Sequence, residues 1–597
     1  MNGKSMKTVL ATLNAKYIHM SLALRTLKAY SGREFEIELA EYTIKDPAMQ
    51  VVADLYRRTP DVIGFSCYIW NIEETIPIIQ MLKKIRPELC IVLGGPEVSY
   101  DTKYWLERVP EVDFIVMGEG EETFHHLLQT LDSTQPGQMQ AGKYHLVFGL
   151  AYRDRSGNVV INPVRPKVRL DDLPSPHYFP EDVAQYSTRV IYFETSRGCP
   201  FSCQFCLSSI EVGVRYFDLE RTKRDLLHLI RSGAKLIKFV DRTFNIRREY
   251  ALEIFQFLIE NHGGDCVFQF EITADIMRPE VIAYLSEHAP SGVFRFEIGV
   301  QSTNELTNEI IQRRQHFAKL SRTVTMIRDS GKIAQHLDLI AGLPEEDYDS
   351  FRRTFNDVFA LRPEELQLGF LKMLRGTGLR ARAAEYGYIF MDHAPYEILG
   401  NHVMPYSDML RIKQAEDVLE KYWNAHRMDA TMQYLVNHVF TSAFDFFQSF
   451  GAHWEFRGWP RIGHQLEDLF TRLLDFLQVS PMGEHLAVVE GLMKYDYFRQ
   501  HTYRPRKIWW ELSFTAQEHA YWMNEVLQHQ SDIFPNSPPL TERELHKQVM
   551  IERTKFDLAE YLQEGTSDRR GSYLLIAHYR PDEVATVVTI PMTQVMS

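Results

Sequence analysis

Short apolar runs that alternate with amphipathic segments constrain this chain most, because such runs fit strands buried on both faces. Over residues 1–135, Lys7–Leu13, Phe35–Tyr42, Asp61–Trp70, Cys90–Val98 and Asp113–Gly118 read as strands, and segments near 20–30, 48–58, 72–86 and 121–131 as helices. Val62-Ile-Gly-Phe65 and Ile91-Val-Leu93 have the unbroken apolar character of strands covered on both sides. This alternation predicts a doubly wound parallel sheet with right-handed crossovers, whose ligand lies beyond the carboxyl ends of the strands. Those ends carry Asn14–His19, Ser66–Asn71, Gly94-Gly-Pro-Glu97 and Gly118-Glu-Gly-Glu121. Glycines there let a large ligand approach the backbone closely.

The pattern returns over residues 190–385. Val190–Thr195, Lys235–Asp241, Val267–Thr273, Val293–Gln301, Ala334–Ala341 and Glu365–Lys372 read as strands, with helices such as Leu219–Arg231 and Tyr250–His262 between them. Such β/α units predict a partial (βα)6 barrel with its chemistry at the carboxyl ends of the strands. Residues 136–189 read as a connector. It opens after the break Gln135-Pro-Gly-Gln138, continues as a hairpin around Arg155-Ser-Gly157 and ends in the stiff run Leu173–Pro180, the whole reading as an interdomain strap. Residues 386–597 are mostly helical in pattern, as in Leu410–Tyr422 and Leu486–Met493. The aromatics there (Phe446-Phe447, Trp454, Trp459, Trp509-Trp510) read as core, Glu542–Glu564 as one more helix, and Tyr573–Tyr579 with Val584–Ile590 as two closing strands.

A chain of 597 residues should form several domains. Apolar content of 45% and charged content of 24% are those of a soluble globular protein. A net charge of −13 gives no support to general nucleic-acid or anionic-membrane binding. The first residues lead into only a short apolar run, unlike a signal peptide, and no stretch has the roughly 20 apolar residues of a membrane span. Six cysteines are too few for a disulfide framework, which suits a reducing compartment and predicts a cytoplasmic location.

Three of those cysteines lie together in Glu194-Thr-Ser-Arg-Gly-Cys-Pro-Phe-Ser-Cys-Gln-Phe-Cys-Leu-Ser-Ser209, spaced C-x3-C-x2-C at Cys199, Cys203 and Cys206. Structural zinc normally takes four ligands, usually as two separated pairs, whereas Cys67, Cys90 and Cys266 are scattered singly. A [4Fe-4S] cluster on three thiolates leaves one iron open to a small molecule. Zinc with a distant fourth ligand, or three core cysteines, are the alternatives. Polar residues at the later strand ends (Asp241, Glu271, Glu297, Gln301-Ser302, Asp338) point the same way. Each could be a satisfied core group, since a buried carboxylate needs a partner or a ligand. The whole set at one end of one barrel fits a shared polar ligand.

The cysteine run, with Phe205 before the third cysteine, resembles the signature of the radical S-adenosylmethionine (SAM) family. That resemblance implies that the open iron binds the amino and carboxylate groups of SAM, and that one electron cleaves SAM to methionine and a 5′-deoxyadenosyl radical. It also implies that Glu271 binds the SAM ribose, that Gln301 lies close to it, that Asp338 adds a further ribose contact, and that Arg313 (or Arg314) reaches the SAM carboxylate. Asp241 stands where the family's Gly-Gly-Glu motif contacts the methionine amine, although that motif is missing here. A solvated helix face is the alternative reading of Arg313-Arg314.

Preceding such a motif, the flavodoxin-like first domain resembles the cobalamin-binding module of cobalamin-dependent radical SAM proteins. Ser66, Gly94 and Gly95 would then line the pocket for the dimethylbenzimidazole tail, with Gly118, Glu119 and Gly120 near it. The Asp-x-His-x-x-Gly motif that supplies a lower axial histidine is absent. His19 has the wrong spacing and reads as a helix-start residue, which leaves the lower face open or faced by Tyr17, Tyr68 or Trp70. The last third resembles a C-terminal extension of some such proteins.

The family likeness implies methyl transfer to an unactivated carbon of a small molecule, with a low-potential donor such as flavodoxin or ferredoxin. Cyclisation, rearrangement or oxidation with the same cofactors, a radical SAM enzyme that has lost cobalamin, and a cobalamin- or redox-responsive binding module are the competing readings.

Overall fold

Strands with no exposed face organise the first part of the computed structural model, which describes residues 6–133, 143–210, 213–483, 485–535, 537–564, 570–581 and 583–593. The break read at Gln135–Gln138 lies outside the described residues. The chain divides into two units, residues 1–406 and 407–597.

In the first unit, β1 (Lys7–Asn14), β2 (Glu36–Thr43), β3 (Val62–Ser66), β4 (Cys90–Gly94) and β5 (Phe114–Val116) pair in parallel in the order β2-β1-β3-β4-β5. Every residue of β3 is buried, because helices cover both faces. On one side Val9, Phe65 and Ile91 pack with Val52, Leu55, Ile79 and Trp105; on the other Leu10, Val62 and Val92 pack with Leu24, Phe124 and Leu128. This is the doubly wound sheet expected from the alternation.

The hairpin of β6 (Leu150–Arg153) and β7 (Val159–Ile161) forms as read, but it does not stand apart as a strap. It extends the first sheet, β6 pairing antiparallel with β5. Residues that follow do fasten the sheet to what comes next: Asp182 accepts two hydrogen bonds from Arg25, at 2.7 and 2.8 Å.

A second parallel sheet contains β8 (Val190–Phe193), β11 (Leu236–Phe239), β12 (Val267–Ile272), β13 (Phe294–Gln301), β14 (Ala334–Ala341) and β15 (Glu365–Phe370), in that spatial order. Between β8 and β11 a separate hairpin of β9 (Ser196–Cys199) and β10 (Gly213–Tyr216) carries the cysteine loop. Burial alternates along β12 and β14. The helix-covered face holds Phe239, Phe268, Phe270, Phe294 and Phe296, several of them in ring contact. The opposite face carries Lys238, Gln269, Glu271, Glu297, His336 and Asp338, all half-buried. Closed barrels fill that space with branched aliphatic side chains. Here it is lined by polar groups.

The outer edge of β8 meets the first domain. Val190 N donates to Ile18 O at 2.7 Å, and Val190 forms a parallel bridge with His19. A two-stranded piece of β16 (Ile389–Phe390) and β17 (Ile398–Gly400) completes the first unit.

The second unit is mainly helical, with helices Ala443–Phe456, Leu466–Val479 and His485–Arg499 around Phe446, Phe450, Trp454 and Phe470. Of the aromatics read as core, Phe446, Phe447 and Trp454 are buried, whereas Trp459, Trp509 and Trp510 are only half-buried. The segment Glu542–Glu564 is not one helix. It contains helix Glu542–Gln548, strand β18 (Val549–Phe556) and helix Leu558–Glu564. β18 pairs with β19 (Arg570–His578), which pairs with β20 (Thr586–Pro591). Charged positions disguised the strand, because Glu552 sits fully buried in it, held by Trp510 Nε1 at 2.6 Å and Lys494 Nζ at 3.6 Å.

Candidate functional site

The cysteine loop starts where two carboxylate oxygens fix it. Asp241, just past the end of β11 and almost inaccessible, accepts from Thr195 N (3.1 Å), Thr195 Oγ1 (2.6 Å) and Ser196 Oγ (2.5 Å). Burial raises its pKa and these donors lower it. Its side chain is thereby directed at the base of the loop. Gly198 takes φ +104, and a Cβ there would stand 2.0 Å from Gly213 O, so only glycine lets β9 and β10 close. The loop's middle is held from two later segments: Gln204 N donates to Ile311 O at 2.9 Å, and Leu379 N to Gln204 O at 2.8 Å.

Cys199 and Cys203 are buried and Cys206 is half-buried; all are free thiols. Burial raises the Cys203 thiol and the Arg313 charge opposes it, Nη1 lying 3.9 Å from Sγ. Burial raises Cys199 as well, and the Cys206 charge adds to that. Among the described residues, no three His, Cys, Asp or Glu side chains converge on a site for a single ion. An iron-sulfur cube, whose irons occupy separate corners, asks for a wider triplet. Phe205 is half-buried between the second and third thiols in the loop.

Glu271, Gln301 and Asp338 come from adjacent strands at the same end. Burial raises Glu271 to about 7, against the nearby Arg242 charge and with Glu297 adding to the rise. Gln301 ends β13 at φ +70, beside an irregularity in the pairing, and its buried Oε1 has no hydrogen-bond donor. An orphaned acceptor on a strained backbone suits a ligand hydroxyl. Asp338 is paired with His336 at 3.1 Å, and His336 also meets Glu365 at 3.1 Å. Burial pulls the His336 pKa down, but these two carboxylates outweigh it and lift it to about 10. Arg313 donates to Gly299 O and to Gln315 Oε1 (3.2 Å), which aims its fork at the cluster end of the barrel. The residues present thus fit a cluster with SAM beside it.

At the first sheet, Ser66, Gly94, Gly95, Gly118 and Gly120 all lie at or just beyond the carboxyl ends of β3, β4 and β5. Ser66 O accepts from Asn71 Nδ2 at 3.0 Å, which shapes the loop bearing Tyr68 and Trp70; their rings stack at 4.2 Å. Gly95 takes φ +105, and a Cβ there would stand 2.6 Å from Cys67 O. Gly118, at φ +68, has open space where a Cβ would be. The open space at Gly118 leaves room for a ligand at this end of the sheet, whereas Gly95 packs tightly on Cys67 and a Cβ at Gly120 would stand 3.3 Å from Leu27. Glu119 turns elsewhere, accepting from Val168 N at 3.0 Å and from Arg215. His19 Nδ1 lies 2.8 Å from Tyr192 Oη on β8, which occupies it at the domain seam. Tyr17 is largely exposed, with the Arg189 guanidinium 4.2 Å from its ring centre.

Several polar residues of the site were not singled out from sequence. Lys238 Nζ meets Glu297 Oε1 at 2.7 Å, and Gln269 Nε2 donates to the same oxygen at 2.5 Å. Their signal was the polar alternation along β11 to β14. The Arg242 charge acts on Glu271, Cys199 and Tyr68, and no local pattern marks it.

A doubly wound glycine-floored sheet joined to a partial barrel with three cysteines after its first strand defines a two-cofactor α/β protein of the radical SAM kind. Family comparison agrees: residues 8–128 match the B12 binding domain, residues 193–358 the Radical SAM superfamily, and residues 384–576 Protein of unknown function (DUF4080). The chain thus joins an N-terminal B12 binding domain to a radical SAM domain.

Over 369 residues it is 26% identical to "Uncharacterized methyltransferase PH0819" of Pyrococcus horikoshii, covering 60% of this chain and 77% of that protein. It is 29% identical to "Cobalamin-dependent radical SAM methyltransferase TokK" of Streptomyces tokunonensis, over 62% of this chain and 56% of TokK. Its fold is similar to that of the radical SAM methyltransferase TsrM from Kitasatospora setae, solved with cobalamin and a [4Fe-4S] cluster bound (TM-score 0.53, 16% identity, 66% of this chain and 78% of that one).

Proposed function

We propose that this protein is a cobalamin-dependent radical SAM methyltransferase acting on an unactivated carbon of a polar small molecule. The observation that carries this reading is the seam between the two sheets. The first sheet's β1 loop pairs with barrel strand β8, the strand that leads into the cysteine loop. When bound, the cluster would supply the electron that cleaves SAM to a 5′-deoxyadenosyl radical, and cobalamin would carry the methyl group. The protein's own part is placement and exclusion of water. Cys199, Cys203 and Cys206 would hold the cluster, and Arg313 would face the SAM carboxylate beside it, where a guanidinium fork suits two oxygens. Glu271, Gln301 and Asp338 would hold the ribose, and Asp241 would position the loop.

Ser66, Gly94, Gly95, Gly118 and Gly120 would floor the corrinoid site. The half-buried polar face of the barrel supports a substrate rich in hydrogen-bonding groups. Six free cysteines support a reducing compartment such as the cytoplasm, where a flavodoxin or ferredoxin could deliver electrons. Among the described residues no helix is long and apolar enough to cross a membrane.

Anaerobic reconstitution with iron, sulfide and hydroxocobalamin, followed by reductant and SAM, tests the reading. We expect a cobalamin spectrum that co-elutes with protein, and both 5′-deoxyadenosine and S-adenosylhomocysteine among the products. Absence of bound cobalamin would sink it. Cobalamin with 5′-deoxyadenosine but no S-adenosylhomocysteine would favour cyclisation or rearrangement.

A further inference from the structure

The hairpin that presents Cys199 contains an electrostatic conflict. In the β9–β10 pairing Arg197 stands directly opposite Arg215, and Cys199 opposite Gly213. Like charges facing each other across an antiparallel pair destabilise it. The charges that relieve the conflict come mainly from the first domain, from the loop after β5 and the first residue of the helix Glu121–Asp132. Glu119 meets Arg215 and lies 3.8 Å from Arg197. Glu121 meets Arg197 at 2.6 Å. On the hairpin side, among the described residues, Glu194 contributes, meeting Arg197 at 3.0 Å.

Arg197 and Glu121 are withdrawn from water, their side chains 14% and 6% exposed. Removing such charges from water costs several kcal/mol per ion, and apolar contacts could join two domains at lower cost. What a buried guanidinium fork between two carboxylates gives instead is one register. That register is between the glycine loop Gly118–Gly120 and a strand that ends on a cluster cysteine.

We propose that Arg197 and Arg215 are positioning residues that couple the corrinoid floor to the cluster loop, so that cobalamin binding and cluster assembly strengthen one another. The proposal rests on the cobalamin reading above. An ordered cluster holds the hairpin, the hairpin holds Glu119 and Glu121, and these hold the loop that shapes the floor. By linkage the same factor applies in the reverse direction.

The test compares hydroxocobalamin affinity in the full chain, iron-free and cluster-reconstituted, by anaerobic absorbance titration. The wild type should bind about tenfold tighter with its cluster, a typical factor for coupled sites. In Glu119→Gln and in Arg215→Gln that ratio should fall to about one, and Arg215→Lys, which keeps the point charge, should restore part of it. Thermal unfolding by circular dichroism confirms that each variant is folded. Simple domain glue would weaken binding equally in both forms and leave the ratio at the wild-type value; that result overturns the proposal. So does a wild-type ratio of one, which needs no variant. If the wild type binds no hydroxocobalamin in either form, the cofactor reading itself fails and takes the proposal with it.

Discussion

Gln301 holds a left-handed backbone at the end of a strand, a conformation that costs an ordinary side chain about 1 kcal/mol or more. Strain kept at the rim of a site predicts opposite effects on stability and binding. Gln301→Gly should leave the melting temperature unchanged or slightly raised while weakening SAM binding about tenfold, measured by thermal unfolding and by the SAM-induced change in the reduced cluster's electron paramagnetic resonance spectrum. Glu271, raised to about 7 by burial, gains its charge only as pH rises through that value. As an ionised acceptor for hydroxyls it should make SAM binding tighten from pH 6 to pH 8. Glu271→Gln should bind about tenfold less tightly and lose that pH dependence, as expected for one hydrogen bond to a charged group.

In the second unit Asp496 is a different kind of buried acid. It accepts from Ala430 N (3.3 Å), Thr431 N (2.8 Å) and Thr431 Oγ1 (2.7 Å), capping helix Asp429–Tyr434 from outside. Asp496→Ala orphans those donors and should cost about 2–4 kcal/mol by urea unfolding.

Elements explain why some of the site was legible and some was not. The barrel strands were readable because their helix-covered faces are Phe, Leu and Ile at every second position, as in Phe268-Gln-Phe-Glu-Ile272. Glu271 and Asp338 were legible as polar groups at strand ends, and the alternation explains why they face away from the helices. The contact of Arg197 with Glu119 was opaque, because they meet across 78 residues of sequence and Glu119 read instead as a neighbour of the cobalamin tail. β18 failed for a related reason: Glu552, Arg553 and Lys555 interrupt its apolar character, and burial of Glu552 depends on Lys494 and Trp510 from elsewhere in its unit. The β9–β10 hairpin makes the sharpest test at this scale. Gly198→Ala brings a Cβ against Gly213 O on a backbone that L side chains rarely adopt, so the hairpin must open. We expect Gly198→Ala to take up less than half the wild-type iron on reconstitution, by iron and sulfide assay, while the first sheet stays folded.

Across the whole molecule, buried acids set the response to pH. Glu97, Glu194, Glu346 and Asp496 are each raised by burial to about 7. The folded state then holds more protons than the unfolded chain between about pH 4.5 and 7, so their contribution is complete below about 4.5 and is lost as pH rises through 7. His177, pushed down to about 3 by burial, acts oppositely: its contribution is present above its ordinary 6.5 and is lost as pH falls towards 3. Glu346 is a simple probe, since it accepts short hydrogen bonds from Ser302 Oγ (2.6 Å) and Thr354 Oγ1 (2.7 Å). Glu346→Gln should flatten the fall in stability between pH 5 and 7, read by denaturant midpoints at both values.

The bridge between Val190 and the loop after β1 has one more consequence, for the order in which the molecule is made. Strand β8 lies at the border of its sheet, and a bare border strand is a template for pairing with other chains. Here it is covered by residues 18 and 19, which leave the ribosome well before it. The first sheet is thus made before the border strand that it covers. A barrel expressed alone from residue 164 would offer that border to its neighbours, and self-association is the behaviour to expect of it.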